Sequence, residues 1–247
     1  MTESEFLETY DPAAFERPSV TVDLVLMTVV NGKLAALLQQ RSDYPFEGSW
    51  ALPGGFVGMT EDLETAAKRV RASKAALNEG WLEQLHTFGA PQRDPRTRVI
   101  TVAYFALTRA TELLAAVEDG EDLILAALDT PRAGAAGGPV SALTPGGSAL
   151  PLAFDHADIL GHAVQRLRDK LNTSPIAFAL MKDHFTLREL QDIHEAVLDT
   201  RFNKPAFRRR MIDAGWIEGT GQREDGASYR PAELYRMKAL PRDTVPC

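Results

Sequence analysis

Residues 20–30 form an apolar run of β-branched residues and leucines broken by Asp23; Asn31 and Gly32 follow, and residues 34–39 are apolar again. Two such runs flanking Asn-Gly predict a hairpin with a two-residue turn, because that dipeptide tolerates the positive φ angles the turn demands. A turn-rich stretch, 42–50, leads to Leu52-Pro53-Gly54-Gly55-Phe56-Val57, where the paired glycines predict close backbone approach to another strand or a ligand. Over 62–77, Leu63, Ala66, Ala67, Val70 and Leu77 recur on one helical stripe, interrupted at Lys74. Residues 99–107 read as a strand. Residues 129–150, rich in Ala, Gly, Pro and Ser, have no periodicity and read as a surface loop or disordered insertion, the clearest composition break in the chain. Residues 1–18 are a poorly patterned lead-in.

Beyond the break the punctuation is stronger. Asp155 is placed to cap a helix on which Ile159, Ala163, Leu167 and Leu171 share a face. That stripe can bury against the rest of the chain or against a second copy, and the pattern does not choose. Thr186-Leu187-Arg188-Glu189 has the form of a capping box, with Phe185 and Leu190 placed as a hydrophobic staple. Leu187, Leu190, Ile193, Val197 and Leu198 give this helix its apolar face. A polar turn, 199–202, precedes Asn203, which can cap a second helix with Pro205 tolerated in its first turn and Gly215 at its end. Residues 216–230 then offer two short strands around a Gly-rich tip. Helix, tight turn, helix and hairpin is the order of a winged helix-turn-helix.

Composition narrows the picture. A chain of 247 residues can hold one large domain or two modest ones. Its formal charge of -7 and pI near 5.3 argue, taken whole, against nucleic-acid binding, yet an acidic domain can mask a local basic face. The single cysteine, Cys247, excludes an intrachain disulfide or a thiolate cluster and fits a reducing compartment. The first ten residues lack the pattern of a signal peptide, and the longest apolar run, 24–30, is too short to span a bilayer. A cytoplasmic location is expected.

Gly55, Glu61 and Arg69 stand at the spacing that opens the Nudix box of pyrophosphate hydrolases, and the segment resembles that box. The family pattern continues with Glu, an apolar residue, any residue, Glu-Glu, any residue and Gly. This chain has Val70, Arg71, Ala72, Ser73, Lys74, Ala75 and Ala76. Those glutamates would hold magnesium beside the substrate's phosphates, since Mg²⁺ takes oxygen ligands and needs the negative charge. Val70 and Ser73 do not supply it, and Lys74 would repel the metal. Glu61 and Glu64 remain and could form a weak ion site, against the plainer reading of a solvated first helical turn, where the helix dipole favours carboxylates. Hydrolysis of the usual Nudix kind is not expected, and neither is a bound metal or cofactor.

The similarity extends over Trp50-Ala51-Leu52-Pro53-Gly54-Gly55-Phe56-Val57, Leu82-Glu83-Gln84-Leu85, Phe88-Gly89 and Arg93-Asp94-Pro95-Arg96. Together these resemble the Nudix-related transcriptional regulators (NrtR), a resemblance that implies sensing of ADP-ribose or a related nucleotide. Gly54, Gly55 and Asp94 belong to those motifs. Arg41, Arg93, Arg96 and Arg98 carry guanidinium groups suited to bidentate phosphate contacts, and Phe56 and Tyr104 are able to stack on a base or flank a ribose. The plainer alternatives are ion pairs for the arginines and core packing for the aromatics.

The resemblance continues over 185–191, 203–210 and 230–235. Independently of it, a helix that buries Phe207, Met211 and Ala214 points Arg209 away from its core, flanked by Arg208 and Arg210, with Lys204 one turn earlier. Such a face suits phosphates and guanine edges in a major groove, and Arg223 and Arg230 in the wing are placed to reach an adjacent groove or the backbone. The expected architecture is α/β: a lead-in over 1–18, a Nudix-like α/β/α sandwich over 19–154 with the insertion at 129–150, and a linker helix plus an α+β winged helix-turn-helix over 155–240. The expected function is a homodimeric, DNA-binding repressor of NAD-related metabolism that responds to an ADP-ribose-type effector; the partners are an operator duplex and the nucleotide, with no membrane. The alternative is a divergent Nudix hydrolase with an accessory C-terminal domain.

Overall fold

This computed structural model describes residues 2–77, 81–120, 122–130, 138–171, 173–224 and 231–238. The elements run α1 (Glu3–Thr9), β1 (Ser19–Val30), β2 (Lys33–Gln40), β3 (Trp50–Ala51), β4 (Gly54–Phe56), α2 (Leu63–Ala75), β5 (Glu83–Phe88), β6 (Val99–Leu107), α3 (Ala110–Asp119), β7 (Leu123–Asp129), β8 (Ser141–Leu143) and β9 (Ala149–Leu150). They continue with α4 (His156–Leu171), α5 (Leu187–Leu198), α6 (Lys204–Asp213), β10 (Ile217–Arg223) and β11 (Glu233–Met237).

A mixed sheet in the order β5-β6-β1-β2-β7-β8-β9 is the central layer, with β3 and β4 paired to β2 and β1 at its side. Strand β1 pairs with β2 through Val30 and Lys33, so Asn31 and Gly32 alone make the turn, at φ 51° and 72°. Alternation along β1 sorts its side chains to two cores. Val22, Leu24 and Leu26 meet Ala66, Ala67, Val70 and Leu113 from α2 and α3. Val25 and Met27 meet Ile159, Ala163 and Leu167 from α4. A sheet covered by helices on both faces is an α/β/α sandwich, and its strands read as near-continuous apolar runs for that reason.

Helix α4 therefore buries its stripe in its own chain. It also joins the two modules, because the same cluster continues through Leu190 and Val197 of α5 to Phe207 and Met211 of α6. Arg168 of α4 donates to the carbonyl of Val197 at 3.0 Å and to Thr130 Oγ1 at 2.7 Å, bracing α5 against the end of β7. Glu83 of β5 accepts from Arg166 at 2.8 Å and pairs with Lys170 as well.

The winged module follows the local chemistry of its caps. Thr186 and Glu189 complete the capping box, Phe185 and Leu190 are buried beside it, and Asn203 caps α6. Gly215 follows α6 at φ 72°. Gln191, His194 and Glu195 are buried polar residues that no periodicity announces. Glu195 accepts from Gln191 at 2.7 Å, from the Phe202 amide at 2.9 Å and from Arg201 at 2.6 Å, so it fixes the turn between the two helices.

Several expectations are corrected. Residues 131–137 of the expected insertion lie outside the described residues, but the remainder is not a loose loop: β8 pairs with β7, β9 pairs with β8, and Val140 and Ala142 are buried. Strands of two and three residues built partly on alanine are too short to show a period. Helix α3 and strand β7 are additions to the elements that the sequence pattern predicts. Part of the lead-in is helical, with Thr2 closing a capping box over α1. Asp155 does not cap α4 with its side chain, which Arg93 engages, and its carbonyl closes the first turn instead. Ala214 is exposed because it already lies at the C-cap of α6. The wing's second strand is β11, beyond 216–230.

Candidate functional site

A cleft of about 490 Å³ opens where β1, β2, β4 and the 93–96 loop meet the start of α4. Seven of the residues singled out in the sequence line it: Arg41, Gly54, Gly55, Phe56, Arg93, Asp94 and Arg96. Its size and mixed lining suit a small organic ligand.

The glycines are there for the sheet. Gly54 and Gly55 pair with Asp23 and Val22 of β1, and a Cβ at Gly54 would overlap Asp23 Oδ1 and lie 2.9 Å from the Val22 carbonyl. A Cβ on Gly55 would come within 3.3 Å of Val70 Cγ2. The close approach is thus to a strand and a helix, and it leaves Phe56 half exposed at the cleft mouth.

Arg93 is the buried hinge of the site. It donates to Asp155 at 2.9 and 2.7 Å, with Asp23 at 3.5 Å, and its side chain is 4% exposed. Burial lowers its pKa, but Asp155, Asp23 and Asp94 outweigh burial and the net shift is upward. Its first role is to hold Asp155 and so the start of α4. Beside it, the amide of Leu52 donates to His156 Nδ1 at 2.8 Å, which leaves the ring proton on Nε2, 3.8 Å from Asp23. Complete burial holds His156 below the usual histidine range despite the two aspartates.

Arg96 and Arg41 face more open space. Arg96 is held bidentate by Asp94, at 3.1 and 2.8 Å, and Asp94 is held below its ordinary pKa chiefly by that contact. Arg41 donates to the carbonyls of Pro45 and Asp43, and its guanidinium lies 4.9 Å from the centre of the Phe154 ring. Phe154 also packs edge-on to Phe46 at 4.8 Å, and both have positive φ, 54° and 64°. Non-glycine residues pay conformational energy to sit there, and such residues cluster at ligand sites. Phe154 and His156 were missed in the sequence, since they become neighbours of Arg41 only through the fold.

Two expected site residues lie elsewhere. Tyr104 is buried in the core beneath α2, where burial raises its hydroxyl pKa. On β6 its parity sends it to the α2 and α3 face, among Leu24 and Leu26, and it does not line the cleft. Arg98 does not line the cleft and donates to the Ala90 carbonyl at 3.1 Å.

The box residues do not form a metal site. Glu61 accepts from Arg69 at 2.6 and 3.0 Å and from the Gly58 amide at 2.7 Å, and with Arg69 as the main cause its pKa falls to about 2. Glu64 pairs with Lys68 at the surface. Val70 is 2% exposed, Ser73 donates to the Val70 carbonyl, and Lys74 faces the cleft. Among the described residues no cluster of three metal-ligating side chains exists. A hard dication needs several convergent oxygens, and these residues do not fit one.

The second surface is α6. Phe207 and Met211 are buried, and the Arg209 side chain is 86% exposed, with a 3.5 Å contact to the exposed Asp213 that binds it weakly. Arg208 donates to Tyr235 Oη at 2.8 Å and lies 3.5 Å from Glu233, tying α6 to the wing. Arg210 stacks over Phe202 and Phe207, at 5.0 and 5.4 Å. Lys204 has no partner among the described residues. Arg223, exposed in β10, donates to the Pro231 carbonyl, and Arg230 lies outside the described residues.

A Nudix-type sandwich with a box unsuited to metal, continuous with a winged helix that exposes cations, defines the class: a small-molecule-binding domain fused to a nucleic-acid-binding module. The comparisons agree. Residues 18–129 match the NUDIX domain, and residues 177–237 match the NrtR DNA-binding winged helix domain. The ADPR responsive transcriptional repressor NtrR of Acinetobacter baylyi is 38% identical over 96% of this chain and 88% of its own length. The crystal structure of Shewanella oneidensis NrtR complexed with a 27mer DNA is 33% identical and superposes with a TM-score of 0.70, covering 89% of this chain and 93% of that one. A MutT/nudix family protein from Enterococcus faecalis is 29% identical, with a TM-score of 0.74 over 96% of this chain and 94% of that one. The chain belongs to the NrtR family.

Proposed function

We propose that this chain is a transcriptional repressor that binds operator DNA through α6 and the wing and responds to an ADP-ribose-type nucleotide held in the cleft. The observation that carries the reading is Arg209, fully presented on the second helix of a winged helix whose fold is continuous with a nucleotide-sized cleft. The A. baylyi relative is ADPR responsive, and the S. oneidensis relative binds DNA with the same architecture, which supports both halves. The sandwich acts as sensor and the segment after residue 155 as linker helix and DNA-binding module. Arg41, Phe56 and Arg96 are the natural ligand contacts; Lys204 and Arg209 the natural DNA contacts, with Arg208, Arg210 and Arg223 at the rim. Two operator half-sites imply a homodimer.

The cleft binds its ligand and does not hydrolyse it, because Glu61 is engaged by Arg69 and no acid stands at residues 70, 73 or 74. Regulation follows from geometry: His156 lines the cleft at the first turn of α4, and the far end of α4 grips α5 through Arg168. A nucleotide that favours one position of α4 shifts the DNA-binding population by its differential affinity. The test is a gel shift on the chain's own upstream region at fixed salt, with and without ADP-ribose. Nucleotide should change the affinity, and Arg209→Ala should weaken binding by about 1–3 kcal/mol. Unchanged affinity in Arg209→Ala would refute the recognition helix; steady turnover of ADP-ribose with Mg²⁺ would restore the hydrolase reading.

A further inference from the structure

We propose that Lys74 replaces the metal of the Nudix box: its ammonium, tethered to α2, supplies to the nucleotide diphosphate the positive charge that a bound magnesium would otherwise give, so ligand binding here needs no divalent cation. The inference rests on the cleft being a nucleotide site.

Lys74 occupies the place of the second acid of the box's Glu-Glu pair, on the last turn of α2, and its side chain lines the cleft beside Gly55 and Phe56. Among the described residues none forms an ion pair or hydrogen bond with it, whereas Arg93 and Arg96 in the same cleft are held by Asp155 and Asp94. Arg41, across the cleft, donates to backbone carbonyls, so Lys74 and Arg41 are the cleft cations without an acid partner, and Lys74 is the one that stands in the box. The neighbouring positions are consistent with that exchange. Val70 is packed under Gly55, so the acid that follows the box arginine is replaced by a core contact. Ser73 is turned to its own helix backbone. In a metal-holding box, two carboxylates and a dication nearly cancel before the diphosphate arrives. Here a neutral hydroxyl and one ammonium leave the same place positive, and a phosphate oxygen gains a charge-assisted partner without an intermediary ion. A dication would meet Lys74 as a like charge, so the device excludes the metal while doing its electrostatic work.

The test is titration calorimetry of the full chain with ADP-ribose, in EDTA and in excess Mg²⁺, for the wild type, Lys74→Ala, Lys74→Arg and Lys74→Glu. Lys74 is exposed, so the variants should match the wild type in thermal unfolding. The wild type should bind equally in both buffers. Lys74→Ala should lose roughly ten- to hundredfold in affinity, the scale of one hydrogen bond to a charged group. Lys74→Arg should stay within a few-fold, and Lys74→Glu should bind worst in EDTA and partly recover in Mg²⁺. A wild type that binds only with Mg²⁺, or a Lys74→Ala variant with unchanged affinity, overturns the metal replacement and leaves the nucleotide reading standing. No binding to the wild type in either buffer overturns both.

Discussion

Replacing Asp155 with alanine removes both carboxylate oxygens that hold Arg93, whose side chain is 4% exposed and whose nearest remaining acid, Asp23, is 3.5 Å away. An uncompensated buried charge is costly, and breaking a buried pair from one side typically costs about 3–5 kcal/mol. Two features reduce that here. Asp155 is 18% exposed, so solvent can reach the vacated space, and Asp23 still attracts the guanidinium. A loss of about 2–3 kcal/mol is expected, read as a lower urea midpoint at unchanged slope. The double variant Arg93→Met/Asp155→Ala separates orphan charge from lost packing. With the cation gone, it should be less destabilised than the sum of the single variants, by about 1 kcal/mol or more. Strict additivity, or an Asp155→Ala midpoint equal to the wild type, would show that the pair does not anchor α4 as its geometry suggests.

Two more outcomes follow from local chemistry. Ala76 sits at φ 53° and ψ 24° as the left-handed C-cap of α2, where the Nudix pattern has glycine, so Ala76→Gly should stabilise by about 1 kcal/mol, the cost of that conformation less glycine's extra chain entropy, read as a rise in Tm. His194 is held at about 4 from 6.5, mainly by burial, which outweighs the raising effect of its hydrogen bond to Leu190's carbonyl at 2.8 Å and is reinforced by Arg210. Above pH 6.5 it is neutral folded or unfolded and costs nothing; as pH falls towards 4 the unfolded chain takes the proton first, so up to about 3 kcal/mol is lost across that window. Urea midpoints at pH 7, 5.5 and 4.5 should fall less steeply for His194→Gln, and parallel curves would contradict the assignment.

What the sequence shows clearly is what short-range chemistry decides. Asn31-Gly32, the Thr186–Glu189 box and the Asn203 cap act within four residues, and the structure places hairpin and helices accordingly. The burial of Phe207 and Met211 under an outward Arg209 is helical geometry, equally local. Contacts that span the chain were not legible. Arg93 and Asp155 are 62 residues apart, so a guanidinium that looks available for phosphate is instead a buried brace. Tyr104 fits either face of β6 until the neighbouring helices are known. Phe154 has no pattern of its own, although its ring meets both Arg41 and Arg96. Lys74 is the intermediate case: its break in the apolar stripe of α2 was visible, and only the cleft gave the break a purpose.

The shared core limits how a ligand signal can travel. Packed interiors do not deform by small continuous amounts; they shift between discrete arrangements. Helix α4 cannot slide freely, because the backbone at Gly138 crosses it at Gly161, where a Cβ would overlap the Gly138 carbonyl. Its first turn is held by Arg93 and Leu52, and its last turns by Glu83 and Val197. A nucleotide meeting Arg41 and Arg96 touches none of the α6 cations directly. If it alters DNA affinity, it does so by choosing between two settings of α4 against the sheet, each with its own placement of α5 and α6. Arg168 would then be the point of transfer, since one guanidinium binds the end of β7 and the end of α5 together, and a setting that broke one of those contacts would move the DNA-binding pair relative to the sensor.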